Sequence, residues 1–461
     1  MRGRVMWAVR VSAASVVAAV LVAVGLAGCG SSQSGQAPQA PAGLVASSSA
    51  SPSASPGGTP AVSPTMLPPE VVVEYPKVSD LKGVDGRPAE LSVQRFVLSG
   101  SWGVRDYTDR VCALQFNTQE RRYPQYTTYL FDLATGRKRE ALDRPVNAAG
   151  HYQILGARIS DRWIAWEEVG PGDDLMVSVD WSLYAARYDP RTFAVGRPML
   201  IDSGRTRDRI KPTYVSFSTT AEVQAVDAEA TIIKGRPLFD LSGDTLCWMT
   251  NVSGAKAVGR VQATDLRRRQ SRVVYETEGS LRTLSTDHEQ LLVTEMTAGD
   301  APTMLLSVID GSTRDVLSRV DLGAEYDVGH FPAVKDGLLA WAVFSQGEEN
   351  MFPALYARDR VGTYRLVARS GHDPVFVGDW LFFVQNPRVG TPGSSDLTSE
   401  VNAIDCRSGE CYTLAKGGYI GWLGGFGAPA TEHTFVAHDD RALGAEPGEK
   451  KITLLDVYRV R

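Results

Sequence analysis

Seven copies of one pattern constrain this chain more than any other feature. Each copy reads as a short apolar strand, an aspartate, a tight turn and a second strand. The copies are YLFDLATGRKREAL, LYAARYDPRTFAVGRPMLI, RVQATDLRRRQSRVVYE, LLSVIDGSTRDVLSRV, LYARDRVGTYRLVAR, VNAIDCRSGECYTL and a truncated ITLLDVYRV. Their aspartates are Asp132, Asp189, Asp265, Asp310, Asp359, Asp405 and Asp456. A carboxylate that opens a turn can accept the backbone N–H groups the turn leaves over. A second apolar run precedes each copy: DRVCALQF, DRWIAWEE, GDTLCWMT, DHEQLLVTEM, KDGLLAWAVF, GDWLFFVQ and EHTFVAHD. Runs such as WIAW and LLAWAVF are apolar on both faces, which suits a strand covered by sheets on either side. A further strand fits before most of these, in HYQILGARI, RPLFDLSG, SLRTLS, HFPAV, HDPVFV and GGYIGWLGGFG.

The unit is therefore four strands long, with a period of about 50 residues, and few stretches show helical periodicity. Such a period predicts an all-β fold, a β-propeller of seven four-stranded blades packed face to face around a channel. Six or eight blades stay open as alternatives, because the spacing from Asp189 to Asp265 exceeds the others. The surplus around RIKPTYVSFSTTAEVQAVDAEATIIKG reads as an inserted hairpin, a partial blade or a loop. The last copy stops in its third strand. An N-terminal strand, EVVVEY at 70–75, is available to complete it and remove an exposed edge.

The N-terminus places the propeller. Arg2, Arg4 and Arg10 precede an apolar run from Val11 to Ala27, the layout of an export signal. A membrane-spanning signal anchor is the alternative reading of that run. Leu26-Ala27-Gly28-Cys29 resembles the lipobox of bacterial lipoprotein signal peptides. The resemblance implies cleavage before Cys29 and attachment of diacylglycerol to it, a two-chain anchor of the kind that holds a protein on a bilayer. The expected organisation is a signal peptide at 1–28, a Ser/Pro/Gly/Ala-rich flexible tether at 29–69 and the propeller at 70–461. The expected location is the extracytoplasmic face of the cell membrane. The formal net charge of −5 gives no basic excess for nucleic acid, so none is expected.

The remaining cysteines divide in two. Cys406 and Cys411 flank a turn in DCRSGECYTL, and a hairpin there would bring their sulfurs within bonding reach, so a disulfide is expected. Cys112 and Cys247 are read at the same offset in the second strands of blades 1 and 3, with a whole blade between them, and are expected as buried free thiols.

Three Gly-His pairs open repeats: Gly150-His151, Gly329-His330 and Gly371-His372. With the strand periodicity they make the body similar to the TolB-like and WD40-like extracytoplasmic propellers, although the closing Trp-Asp of WD40 blades is absent. The lipobox, the tether and the Ala/Arg/Val-rich composition look like a lipoprotein of a high-GC Gram-positive bacterium. The resemblance implies binding or scaffolding in the cell envelope.

Two sites compete for function. His151, His330 and His372 begin inner strands of blades 2, 5 and 6 around one channel mouth. There they could hold a divalent metal for a hydrolase or lyase, or simply bond within their own blades. No other cofactor is expected. The connections between second and third strands carry Glu167, Glu168, Asp173, Asp174, Glu348 and Glu349, an acidic face suited to a cation or a basic partner. RRRQSR at 267–272 reads as a solvated outer turn, with anionic lipid or cell-wall polymer as the alternative contact. The chain lacks H-E-x-x-H, G-x-S-x-G and G-x-x-x-x-G-K. The expectation is a monomeric binding module for an envelope protein or cell-wall ligand, with the metal-dependent enzyme as its alternative.

Overall fold

A computed structural model describes residues 65–66, 88, 90–117, 126–147, 153–170, 179–206, 233–234, 237–253, 258–287, 290–299, 301–323, 326–345, 354–358, 364–368, 371–385, 399–417, 419–420, 431–442 and 451–461. Seven antiparallel four-stranded sheets follow one another and close into a ring, a β-propeller. From the inner strand outward, blade 1 is Trp102–Tyr107, Val111–Asn117, Tyr126–Asp132 and Lys138–Leu142. Blade 2 is Gln153–Ile159, Trp163–Val169, Val179–Arg187 and Met199–Thr206. Blade 3 is Leu238–Ser242, Thr245–Ser253, Val258–Asp265 and Gln270–Thr277, and blade 4 is Ser280–Asp287, Gln290–Met296, Met304–Asp310 and Val316–Gly323. Blade 5 is Tyr326–Lys335, Leu338–Ser345, Ala354–Arg358 and Tyr364–Ala368, and blade 6 is Gly371–Val377, Trp380–Gln385, Ser399–Asp405 and Cys411–Gly417.

Blade 7 takes Tyr419–Ile420, Thr434–Ala442 and Lys451–Val460 from the C-terminal end and its outer strand, Leu91–Ser99, from the N-terminal side. The ring thus closes through an N-terminal strand, as expected, but with 91–99 in place of 70–75, which lies outside the described residues. The register supplies the reason. Arg95 stands opposite Asp456, and its Nε and Nη2 reach the two carboxylate oxygens at 2.6 and 2.8 Å. Asp456 is fully buried. A buried carboxylate needs such a partner, and EVVVEY has glutamates and no cation to offer it.

The third-to-fourth strand turn repeats in detail. Asp132 Oδ1 accepts the N–H groups of Ala134 and Thr135, and Asp310 Oδ1 accepts those of Ser312 and Thr313. Asp189, Asp265 and Asp405 do the same for their own turns. The fourth residue after each aspartate has positive φ: Gly136, Phe193, Arg269, Arg314 and Gly409. That left-handed residue returns the chain into the outer strand. Hydrogen bonds from the Ser312 hydroxyl and the Thr313 and Ser312 N–H groups hold Asp310 down to about 2. At Asp132 burial raises the carboxyl, but the N–H groups of Thr135 and Ala134 outweigh it and leave it below its usual value. Asp359 is outside the described residues.

Blades adhere by interdigitated apolar faces. Phe382 of blade 6 stacks on Phe435 of blade 7, with ring centroids 4.7 Å apart. Trp341 of blade 5 lies in a cluster with Leu292 and Leu306 of blade 4. Each such side chain, fully buried, contributes about 1.5–3 kcal/mol. Cys112 and Cys247 are buried free thiols, as expected. Their registers differ by one residue: Cys112 pairs with Tyr107, whereas Cys247 pairs with Asp240, the counterpart of Asp106 opposite Ala113. One step reverses the face, so Cys112 joins the cluster shared with blade 7 and Cys247 the cluster shared with blade 4.

Two short strands lie outside the four-strand plan. Ile233–Lys234, from the long insertion, pairs with Ser253 and Val252 of blade 3. Thr65–Met66 pairs parallel with Val320 and Asp321 on the outer strand of blade 4.

Candidate functional site

The two ends of the ring differ. One end carries the tight turns, clamped by their aspartates. The other carries the connections from second to third strands, which span 118–125, 170–178, 346–353, 386–398 and 443–450 in blades 1, 2, 5, 6 and 7 and only 254–257 and 297–303 in blades 3 and 4. Asp173, Asp174, Glu348 and Glu349 fall in those connections, outside the described residues. His151 and Cys29 lie outside them as well.

Glu167 and Glu168 do not belong to that acidic face. Both sit in the second strand of blade 2 and are fully buried. Glu168 Oε1 accepts the Trp166 indole N–H at 2.9 Å and the Val146 N–H at 2.7 Å, and Oε2 accepts the Asn147 N–H at 3.4 Å. The carboxylate ties blade 2 to the chain leaving blade 1. Two of its three donors, the Val146 and Asn147 N–H groups, come from the segment that follows blade 1, so local pattern did not reveal the role.

The inner strands of blades 2, 4 and 5 bulge at one level, between Ile154 and Gly156, Leu281 and Thr283, and Val328 and His330; blade 6 bulges next to it, between His372 and Val375, and blade 1 nearer its turn, between Val104 and Asp106. A bulge re-aims the side chains beside it. His330 and His372 stand at this level, in register with Ala342 and Val384 of their second strands. In blade 2 the corresponding position, opposite Glu167, is Gly156. His372 Nδ1 lies 2.9 Å from Asp373 Oδ2, and Asp373 is itself buried with φ of 53°. Among the described residues no group of three or more metal-binding side chains comes together.

Cys411 is buried at the start of its strand opposite Ile404, and Cys406 lies in the turn, its N–H bonded to the Asp379 carbonyl. The structure carries both as thiols. The register sets Cys411 against Ile404 and not against Cys406, so the hairpin by itself does not place the sulfurs face to face.

Sequence reading passed over a chain of buried charges on the inner strands. Asp106, Arg158 and Asp240 occupy the same place near the ends of the inner strands of blades 1, 2 and 3. Arg158 is fully buried, with Nη1 3.3 Å from Asp106 Oδ1 and Nε 3.5 Å from Asp240 Oδ1. Asp106 also accepts the N–H of Ile159 in blade 2, and Asp240 accepts the N–H and hydroxyl of Thr286 in blade 4. Burial pushes Asp106 up to about 7, against the pull of Arg158, and it raises Asp240 also. The chain of contacts staples four consecutive inner strands. Its signal was present in VRDYTDRV, GARISDRW and LFDLSGDT, where each charge stands five places before its second strand.

No protein-family model matches this chain, and no curated protein matches it. Solved structures do. The β-propeller domain of the Trilobed protease from Pyrococcus furiosus is 11% identical; the match covers 57% of this chain and 71% of that one, with a TM-score of 0.36. An oligogalacturonate lyase from Vibrio parahaemolyticus is 11% identical over 79% of this chain and 97% of that one, at 0.44. BamB from Moraxella catarrhalis is 13% identical over 79% and 97%, at 0.34. At these identities the likeness bears on fold alone.

Proposed function

We propose that this chain is a lipid-anchored extracytoplasmic binding module, held to the membrane through diacylglycerol on Cys29 and recognising an envelope protein or cell-wall ligand with the loop end of its ring. The asymmetry of the ring carries this reading. One end is built of short turns satisfied by their own aspartates. At the other end, five of the seven second-to-third connections are eight to thirteen residues long, and recognition is commonly placed on such connections. Buried charges support it too, because Asp106, Arg158, Asp240 and Glu168 are spent on joining blades. In-cell cross-linking from 170–178 and 386–398, with Cys29→Ala as control, tests the proposal. A reproducible envelope partner that is lost when those connections are shortened is the expected result. Labelling that survives their shortening overturns it.

A second reading, a metal-dependent hydrolase or lyase, rests on His330 and His372 sharing one register level in adjacent blades. Metal analysis of the purified chain beside His372→Ala distinguishes it: stoichiometric metal lost in the variant favours the enzyme.

A further inference from the structure

The turn end of the ring has an edge unlike the rest. Residues 267–273, RRRQSRV, are exposed without interruption on the outer turn of blade 3. Arg314 is exposed at the equivalent turn of blade 4, and Arg191 and Arg197 at that of blade 2. Some of this charge has structural employment. Arg272 donates to the carbonyls of Gly311 and Ser312 in the next blade, and Arg267 and Arg268 pair with Asp244 and Asp265 at 3.4 and 3.6 Å. Arg269 and Arg314 are different. Both hold the left-handed position of their turns, with φ of 57° and 71°, where blades 1 and 6 carry glycine. A side chain there costs backbone energy that glycine avoids. Strain kept at an exposed arginine points to a use for the charge.

The same edge displays apolar surface. Leu200, Val273 and Leu317 are among the few large hydrophobic side chains exposed in the described residues, at 55%, 36% and 48%, and they fall on the outer strands of blades 2, 3 and 4. A groove of about 320 Å³ between blades 2 and 3 is lined by Met199, Leu200, Ile201, Thr264, Arg269 and Ser271. Aliphatic side chains next to arginine suit a surface that is anionic at its face and hydrocarbon behind it. Thr65–Met66, the first described residues, pair with Val320 and Asp321 on the outer strand of blade 4.

We infer that the outer edge of blades 2, 3 and 4 rests on an anionic lipid bilayer, with the arginines at the headgroups and Leu200, Val273 and Leu317 at the acyl boundary. The contact does not depend on Cys29, and it turns the loop end of the ring away from the membrane. Residues 62–461 form one compact unit, and ring closure draws only on strands from Leu91 onward, so this unit is the one to test. Flotation with phosphatidylcholine vesicles, with and without phosphatidylglycerol, measures the contact. Binding should require phosphatidylglycerol and weaken with added salt. Serine in place of Arg267, Arg268, Arg269 and Arg314 should reduce partitioning about fivefold for each arginine removed, while lysine at the same places should preserve it. Leu200→Ser with Leu317→Ser should weaken binding yet keep its salt dependence. Arg269→Gly with Arg314→Gly should bind more weakly while melting at a higher temperature, which separates lost contact from lost folding. Equal binding to neutral vesicles, no loss in the serine variant, or capture of a soluble polyanion without vesicle binding would each overturn the inference.

Discussion

Arg158 holds two buried carboxylates apart from water, and its removal should be felt in a specific way. Arg158→Met leaves Asp106 and Asp240 buried without their cation and should cost about 3–5 kcal/mol in urea unfolding at pH 8. The cost should shrink at pH 5, where the carboxylates can take up protons. The intact protein should show the same linkage. Asp106 is near 7 when folded and near 4 when unfolded, so the folded state binds the extra proton between those values. Stability from this group is complete below about pH 4 and is lost as pH rises through 7. Asp106→Asn should reduce that slope, with Asp240, also raised by burial, supplying what remains; an unchanged slope would assign the linkage to other groups. The left-handed arginines make a second prediction. Arg269→Gly and Arg314→Gly should each stabilise by about 1 kcal/mol, read as a shift in the urea midpoint. Phe193→Gly should not, because Phe193 is buried under the Arg137 guanidinium, 4.9 Å from its ring centroid.

Closure of blade 7 depends on one strand crossing from the far end of the chain. A protein beginning at residue 88 should retain cooperative unfolding, because Leu91–Ser99 and the Arg95–Asp456 pair are intact. One beginning at residue 100 should lose it, leaving Asp456 uncompensated and the Lys451–Val460 edge bare. Near-ultraviolet circular dichroism during a urea titration reads both. The plan of these elements was legible because the blades repeat the same chemistry: two-faced apolar second strands and then, in blades 1, 2, 3, 4 and 6, an aspartate that caps its own turn. What escaped was set by partners distant in sequence. EVVVEY has the stronger β-branched pattern, yet the closing strand is the one whose arginine meets Asp456. Glu167 and Glu168 resemble the charged end of a strand, yet Glu168 is buried because Val146 and Asn147 bring their N–H groups to it. The inner charges at 106, 158 and 240 differ in sign from blade to blade, so they offer no recurring letter, only a recurring position.

Residues 62–461 form a ring with two unlike ends, and the proposed function turns on how that ring is held. The tight-turn end bears the arginine and aliphatic edge of blades 2–4. The opposite end bears the long connections. In the proposed arrangement, contact of the first with a bilayer would leave the second available to a partner, and diacylglycerol on Cys29 would add a second hold on the same membrane. Metabolic labelling with radioactive palmitate, followed by membrane fractionation, tests the proposed anchor at Cys29. The account predicts label on the wild-type chain in the membrane fraction, and an unlabelled Cys29→Ala chain that keeps its N-terminal segment uncleaved. A wild-type chain that carries no label, or a Cys29→Ala chain labelled as strongly as wild type, would contradict it.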